Sequence, residues 1–369
     1  MKILMLVNWK VEYRRIQVGS EAKQPPDYYV SGEPYWFFRY FHLPHEVEVI
    51  DIRSFPWLEK FEQEKIRFYI WQALRAIPKL KQYDLIISHG MPSGVVLSLF
   101  RRFFPTRAKH IVFEIGSFNS AATKGMALKL MQFASKSING FIYHTSSQLD
   151  YYREYFPWIV EKTQFIHYGA DTSFFSPKKG SKKRENNNME KKVILCIGYR
   201  KRDWNTLLEA YRLLQSKHPD RKKQICLRLI GKDDVKIRDA SIMAVPYIPV
   251  AELKKEIEKA AVCVVPLEDF NYSFGQMTLL QQMAMEKPVI VARVASTVDY
   301  VEEGETALFY APGKAEDLCR KLELLLEDEK LASRLAEKAA ASVKDRFSEE
   351  RMAVQIEKFI DRVLSQSEG

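Results

Sequence analysis

Apolar runs of four or five residues recur along the chain, each followed by an amphipathic stretch of helical period, and this alternation limits the fold more than any other feature. Runs that short, alternating with helices, read as parallel strands joined by crossover helices. In the first half the predicted strands are Ile3–Val7, Val47–Ile50, Leu85–Ser88, His110–Phe113, Gly140–Tyr143 and Thr163–His167. In the second half they are Val193–Ile197, Cys226–Ile230, Ala244–Tyr247, Ala261–Val265, Pro288–Val291 and Ala307–Tyr310. Helices are predicted between them, among them Trp204–Gln215, Val250–Lys259, Met277–Met285 and Ala315–Glu327, with a last amphipathic helix from Ser348 to Ser365. Residues 176–188 (SPKKGSKKRENNN) can bury nothing and read as a linker. The predicted organisation is α/β with two doubly wound domains, residues 1–177 and 192–346, joined by a linker over 178–191. A helix over 347–369 is expected to pack back toward the first domain. Ligands in such sheets bind beyond the carboxyl ends of the strands, so the site is predicted in a cleft between facing domains.

With 369 residues, 46% apolar and 28% charged, the chain is long enough for two ordinary cores and is not a disordered, collagen-like or disulfide-scaffold sequence. No stretch approaches the roughly 20 apolar residues of a membrane span, and the N-terminus lacks a signal-peptide pattern, so a cytoplasmic location is expected. The cysteines Cys196, Cys226, Cys263 and Cys319 stand singly and read as reduced core thiols. Net charge is +10 and is unevenly placed: residues 1–180 carry 24 Lys+Arg against 16 Asp+Glu, a balance of +8. Such an excess suits nucleic acid, anionic lipid or phosphorylated substrates, and charge alone does not choose among them.

The most informative segment is Asn271–Ile290, NYSFGQMTLLQQMAMEKPVI. It reads as a small-residue turn, a helix and a strand. Gly275 lets the backbone turn tightly and Ser273 is placed to cap the helix, so the N–H groups near Gly275 and Gln276 suit a phosphate or an oxygen-rich sugar. Gln281, a turn further on, is placed to hydrogen-bond a diol. On physical grounds alone the segment reads equally well as an ordinary capped helix.

The same segment resembles the signature of the family 4 glycosyltransferases, retaining nucleotide-sugar enzymes of GT-B fold. In that signature a glutamate, seven residues and a second glutamate straddle a Phe-Gly turn ahead of Ala-Met-Ala and Gly-Lys-Pro-Val. Anchored on Lys287-Pro288-Val289-Ile290, Ser273 and Gln281 occupy the two glutamate positions. The resemblance implies that the first position, with Phe274 and Gly275, lies at the catalytic centre and that the second bonds the nucleotide ribose. Gln281 can still bond a ribose hydroxyl, whereas Ser273 cannot act as a carboxylate. Tyr168-Gly169-Ala170-Asp171 followed by Phe174 and Pro177 resembles the family's Asn-Gly-Val-Asp stretch. Ile197–Ala210 resembles the first strand, loop and helix of the nucleotide domain, where a basic pair meets the diphosphate. Arg200 and Arg202, with Lys201 third, are thereby the diphosphate candidates together with Gly275 and Gln276, and Gly198 a nucleoside-side candidate. A solvated basic loop is the plain alternative. Leu229–Lys232 and Val245–Pro249 match the next strand ends, where Tyr247 and Ile248 would meet the base, and Asp299 in the later Ser296–Gly304 loop reads as structural.

The first half resembles the family more loosely. Gly32-Glu33, followed by His45-Glu46-Val47-Glu48-Val49, is similar to the family's glycine loop and His-Glu-Val strand, which would bring Gly32 to the donor phosphate. His89 and Glu114 end two strands; His89 is a catalytic and acceptor candidate and Glu114 an acceptor candidate, each with the plain reading of a satisfied polar group. No His/Cys/Asp cluster has ligand spacing, so no metal is predicted, and P-loop and dinucleotide glycine patterns are absent. The resemblance therefore implies a metal-independent hexosyltransferase-type enzyme with no cofactor, a nucleotide diphospho-sugar as co-substrate and a glycan or lipid-linked acceptor. A sugar-nucleotide-binding protein without catalysis is the rival reading; a nucleic-acid partner lacks any recognisable module. Aromatic and basic residues interleave in Trp57–Trp71 and in Leu99–Lys109, the latter with Arg101 and Arg102, so an anionic membrane surface is an expected partner, at the inner face of the plasma membrane.

Overall fold

The computed structural model describes residues 1–14, 28–30, 32–114, 123–177, 191–198, 201–219, 224–231, 239–270 and 272–365. The chain divides into two compact units. Unit 1 comprises residues 1–167, 271–273 and 352–369, and unit 2 comprises 168–270 and 274–351. Each is built on a six-stranded sheet, all parallel.

In unit 1 the strands are β1 (Lys2–Leu6), β2 (Glu12–Arg14), β3 (Tyr28–Val30), β4 (Glu46–Ile50), β5 (Leu85–His89), β6 (Lys109–Glu114), β7 (Gly140–Tyr143) and β8 (Thr163–Phe165). Six of them form the sheet in the order β4-β1-β5-β6-β7-β8, while β2 and β3 pair separately. The central strands are largely apolar and buried because helices cover both faces of a parallel sheet; β5 is buried from end to end, with Ser88 and His89 at its close. The β2–β3 pair was not among the predicted strands. It is short and polar, and its tyrosines anchor it to the edge strand: the Tyr13 hydroxyl donates to the Val49 carbonyl at 3.1 Å and that of Tyr29 to Val47 at 3.0 Å. The C-terminal helix Glu349–Ser365 brings Glu357 to unit 1, where its carboxylate accepts from the backbone N–H groups of His42 and Leu43, both at 2.8 Å.

In unit 2 the strands are β9 (Lys192–Ile197), β10 (Ile225–Ile230), β11 (Ile242–Val245), β12 (Ala260–Val265), β13 (Val289–Ala292) and β14 (Leu308–Tyr310), ordered β11-β10-β9-β12-β13-β14. The order reverses between β9 and β12, as it does between β1 and β5 in unit 1. Those reversals leave a crevice at the carboxyl ends, where ligands of open α/β sheets bind. The helix Trp204–Lys217 starts at Asp203, whose carboxylate accepts the Thr206 N–H at 3.0 Å. Three cysteines, Cys196, Cys263 and Cys319, are buried as expected, whereas Cys226 is half-buried. Burial pushes the Cys196 and Cys263 thiols up to about 12, which makes them inert packing groups. No helix among the described residues is long and apolar enough to cross a membrane.

Candidate active site

At the switch point of unit 2, the end of β9 runs into Gly198, whose φ of +122° is open to glycine and strained for other residues. A Cβ there would lie 2.4 Å from the Arg202 guanidinium. That space holds a side chain only 5% exposed. Arg202 donates through Nε to the Ile197 carbonyl at 2.9 Å and through Nη2 to Thr278 Oγ1 at 2.9 Å, and it lies 5.9 Å from the Phe274 ring. One buried cation thus ties the end of β9 to the first turn of the helix Gln276–Ala284. Burial lowers its pKa, since a guanidinium out of water loses hydration. Arg202, the diphosphate candidate whose plain alternative was a solvated loop residue, is a buried internal brace, so Arg202→Ala affects folding as well as any ligand.

That helix begins at Gly275, with φ +86°, and no side chain caps it. The expected cap does not form: the Ser273 hydroxyl is engaged in unit 1, and the left-handed backbone of Gly275 takes the N-cap position. A Cβ on Gly275 would meet Leu267 Cδ1 at 2.9 Å, so only glycine fits this approach. Gln276 opens the helix and is 4% exposed. A turn further on, Gln281 is 7% exposed and its Oε1 has no hydrogen-bond partner among the described residues. A buried amide oxygen without a partner costs about 1–3 kcal/mol, and a hydroxyl from a ligand would relieve it.

The remaining nucleotide-side candidates are more dispersed. Tyr247 follows β11 and is largely exposed, with Ile248 half-buried beside it. Lys201 is exposed, with Nζ 3.4 Å from Glu268 and 5.7 Å from the Phe270 ring. Arg200 lies outside the described residues. The Tyr168–Pro177 stretch is structural within unit 2: Asp171 Oδ1 accepts from the N–H groups of Ser173 and Phe174 and from the Ser173 hydroxyl, closing a turn.

At the corresponding ends in unit 1, His89 closes β5 and packs edge-on against Trp9, ring centroids 4.7 Å apart, with Trp36 at 5.7 Å and Phe113 at 6.1 Å. Trp36 holds a φ of +48°, an uncommon conformation for a bulky residue. Burial, aided by the electrostatic effect of His144, lowers the His89 pKa to about 3, so the ring is neutral near pH 7. Its Nδ1 has no partner among the described residues. Glu114 ends β6 and is fully buried; after burial itself, its charge is the next cause that raises the hydroxyl pKa of Tyr151 to about 12.

Ser273, grouped with unit 1, donates to Gln148 Oε1 at 3.0 Å, and its oxygen lies 3.0 Å from Thr145 Oγ1. A serine has one proton, so Thr145 is the donor of that second bond. Gln148 Nε2 continues the chain to the Tyr152 hydroxyl at 3.1 Å. Thr145, Gln148, Trp9 and Trp36 were not singled out from the sequence, although Thr145 and Gln148 follow a predicted strand end, the position from which ligand contacts are drawn. Gly32, expected at the donor phosphate, is not at this end. It lines a cavity of about 700 Å³ with Lys2, His45 and Glu46, at the amino ends of β1 and β4. The edge position of β4 and the β2–β3 pair beside it carry the loop to that side.

Residues 191–328 match the sequence profile described as Glycosyl transferases group 1. The chain has the GT-B fold, and its residues 191–328 are similar to the glycosyl transferases group 1. Solved structures agree over the whole length: sucrose-phosphate synthase from Thermosynechococcus elongatus superposes with a TM-score of 0.71 at 18% identity, covering 100% of both chains. Anabaena HepE, in complex with UDP and glucose, superposes with a TM-score of 0.68 at 16% identity over 98% of this chain and 100% of that one. A curated relative, the capsular polysaccharide biosynthesis glycosyltransferase CapM of Staphylococcus aureus, is 30% identical over 96 residues, 26% of this chain and 25% of that protein. The match spans about a quarter of the relative's length.

Proposed function

We propose that this protein transfers a sugar, with retention, from a nucleotide diphospho-sugar to a hydroxyl acceptor, without a metal, in the assembly of a cell-surface glycan or glycolipid. The observation that carries the reading is the uncapped helix start at Gly275-Gln276, braced by buried Arg202, with the partnerless Gln281 Oε1 a turn beyond. Backbone N–H groups at a helix start, beside a guanidinium held out of water, stabilise the charge that builds on a departing diphosphate. Gln281 then receives a ribose hydroxyl. In unit 1, His89, held neutral by burial, and Glu114 are the acceptor candidates, and the acceptor attacks the face from which the diphosphate leaves. The leaving phosphate itself accepts the acceptor's proton, so no side-chain base is required. HepE, whose structure holds UDP and glucose, makes uridine donors the first to try.

A second reading is a sugar-nucleotide-binding protein without catalysis. It is favoured by Ser273, which stands where the resemblance implies an acid and whose hydroxyl is committed to Thr145 and Gln148. A thermal-shift panel of UDP-, GDP-, ADP- and TDP-sugars tests both, since a ligand at 100 times its Kd stabilises by about 2.7 kcal/mol. A shift with sugar release or transfer supports the enzyme. A shift without either supports the second reading, and no shift with any donor overturns both.

A further inference from the structure

Between Asp84 and Asp150 the only acidic residue is Glu114, and Glu114 is fully buried. The surface made by these residues is therefore cationic without internal compensation. It is also apolar. The helix Met91–Phe103 ends in Phe103 and Phe104, 68% and 62% exposed. The helix Met126–Ser135 turns Leu128, Met131 and Ala134 into the core and leaves Met126, Leu130 and Phe133 exposed, a stripe at i, i+4 and i+7 along its outer face. The two patches touch: the Phe103 and Phe133 rings lie 5.8 Å apart, and Arg102 sits 5.5 Å from the Phe133 ring. Arg107, Lys129 and Lys136 are exposed around them.

We infer that this face of unit 1 docks on an anionic phospholipid bilayer, with the phenylalanines entering the headgroup layer and the cations meeting lipid phosphates. An exposed apolar stripe flanked by Lys and Arg on one helix suits a helix lying in the plane of a membrane interface. Self-association would set two cationic faces against each other. Of the two stretches that suggested a membrane from sequence, only this one serves. Around Trp57 and Phe61, also exposed, the carboxylates of Glu59 and Glu64 interrupt the basic residues, and Glu59 pairs with Lys10. Arg101 does not belong to the surface either. It is 7% exposed and donates to the Ala108 carbonyl at 2.6 Å and to Thr106 Oγ1 at 3.1 Å, because it falls on the inner face of its helix with Gly94 and Ser98. Reversing its charge would test folding, not docking.

The test is co-sedimentation of the full chain with phosphatidylcholine vesicles and with vesicles containing phosphatidylglycerol, at low and high salt. Arg102→Glu/Arg107→Glu and Phe103→Ser/Phe104→Ser are compared with the parent, and circular dichroism confirms that both stay folded. The parent should partition at least tenfold more strongly onto the anionic vesicles, and each double variant should lose at least tenfold. Absence of pelleting, or pelleting that the phenylalanine variant retains in full, overturns the proposal. Binding to heparin or DNA with no binding to vesicles overturns it as well and gives the face to a soluble polyanion. None of these readouts depends on sugar transfer, so a failure here is separate from a failure of the proposed activity.

Discussion

The two units carry the same kind of sheet, yet the carboxyl ends of their strands are built by opposite means. Unit 2 shapes its end with backbone: Gly198 and Gly275 adopt positive φ, an uncapped helix begins, and one buried arginine fixes the spacing. Unit 1 shapes its end with side chains: two tryptophans and a phenylalanine around a neutral histidine, and a line of uncharged hydrogen bonds through Thr145, Ser273, Gln148 and Tyr152. Backbone donors and a guanidinium recognise charge, whichever molecule carries it. Rings and neutral hydroxyls recognise shape and hydrogen-bonding pattern. The first suits the constant part of a donor, its diphosphate, and the second suits the variable sugar and acceptor.

The contrast is sharpest in acid. His89 and His144 in unit 1 have pKa values lowered from 6.5 to about 3 and about 4, in both cases chiefly by burial. Between those values and 6.5 the unfolded chain takes up protons that the folded chain refuses. Stability is therefore full above 6.5 and falls as pH drops through the window. At about pH 4.5 the pair should cost unit 1 on the order of 5 kcal/mol. Urea unfolding followed by tryptophan fluorescence reports mainly on unit 1, since among the tryptophans only Trp204 lies in unit 2. Midpoints that do not move between neutral and acid buffer would contradict the buried, neutral state of these rings; buried His110, whose pKa burial also lowers, adds to the loss, so His89→Phe should restore only part of it.

In unit 2 the largest effect should come from Gly198→Ala. The positive φ and the overlap with the Arg202 guanidinium together should cost about 3 kcal/mol, with donor affinity falling at least tenfold as Arg202 is displaced. A variant that melts and binds like the parent would break the view that backbone shape sets this end. Next in size is Gln281. Gln281→Leu should weaken donor binding by about 1–3 kcal/mol and Gln281→Glu should retain or improve it; calorimetry giving equal affinities would remove Gln281 from the site.

The difference in construction also explains what the sequence discloses. All twelve sheet strands are legible, since a strand buried on both faces writes itself as a run of apolar residues such as Ala260–Val265. The glycines at 198 and 275 mark the candidate site of unit 2 for a similar reason: a backbone requirement leaves one residue type. In unit 1 the strand ends marked His89 and Glu114, but the side chains around the candidate site are joined by contacts remote in sequence. Ser273 looks like a helix cap until Gln148, 125 positions away, accepts its hydrogen bond. Arg101 and Arg102 are identical neighbours, and only the phase of the helix buries one and exposes the other. Gly32 was read through its neighbours in sequence, while its position is set by the edge strand β4 beside it.

A small effect separates shape from ligand in unit 2. Glu286 follows the helix Gln276–Ala284 with φ +52°, where glycine costs nothing. Glu286→Gly should raise the stability of the chain by about 1 kcal/mol and leave donor affinity unchanged. Lower stability on thermal melting would mean that the Glu286 side chain supplies more than its backbone strain removes.

Hydrogen exchange across the whole chain, with and without a saturating nucleotide diphospho-sugar chosen from the thermal-shift panel, decides whether the switch point of unit 2 holds the donor. Exchange should slow at the amides from Gly275 to Gln281 and at the end of β9 around Gly198. A donor that binds while those amides exchange at their free rate, with protection elsewhere, would contradict that placement.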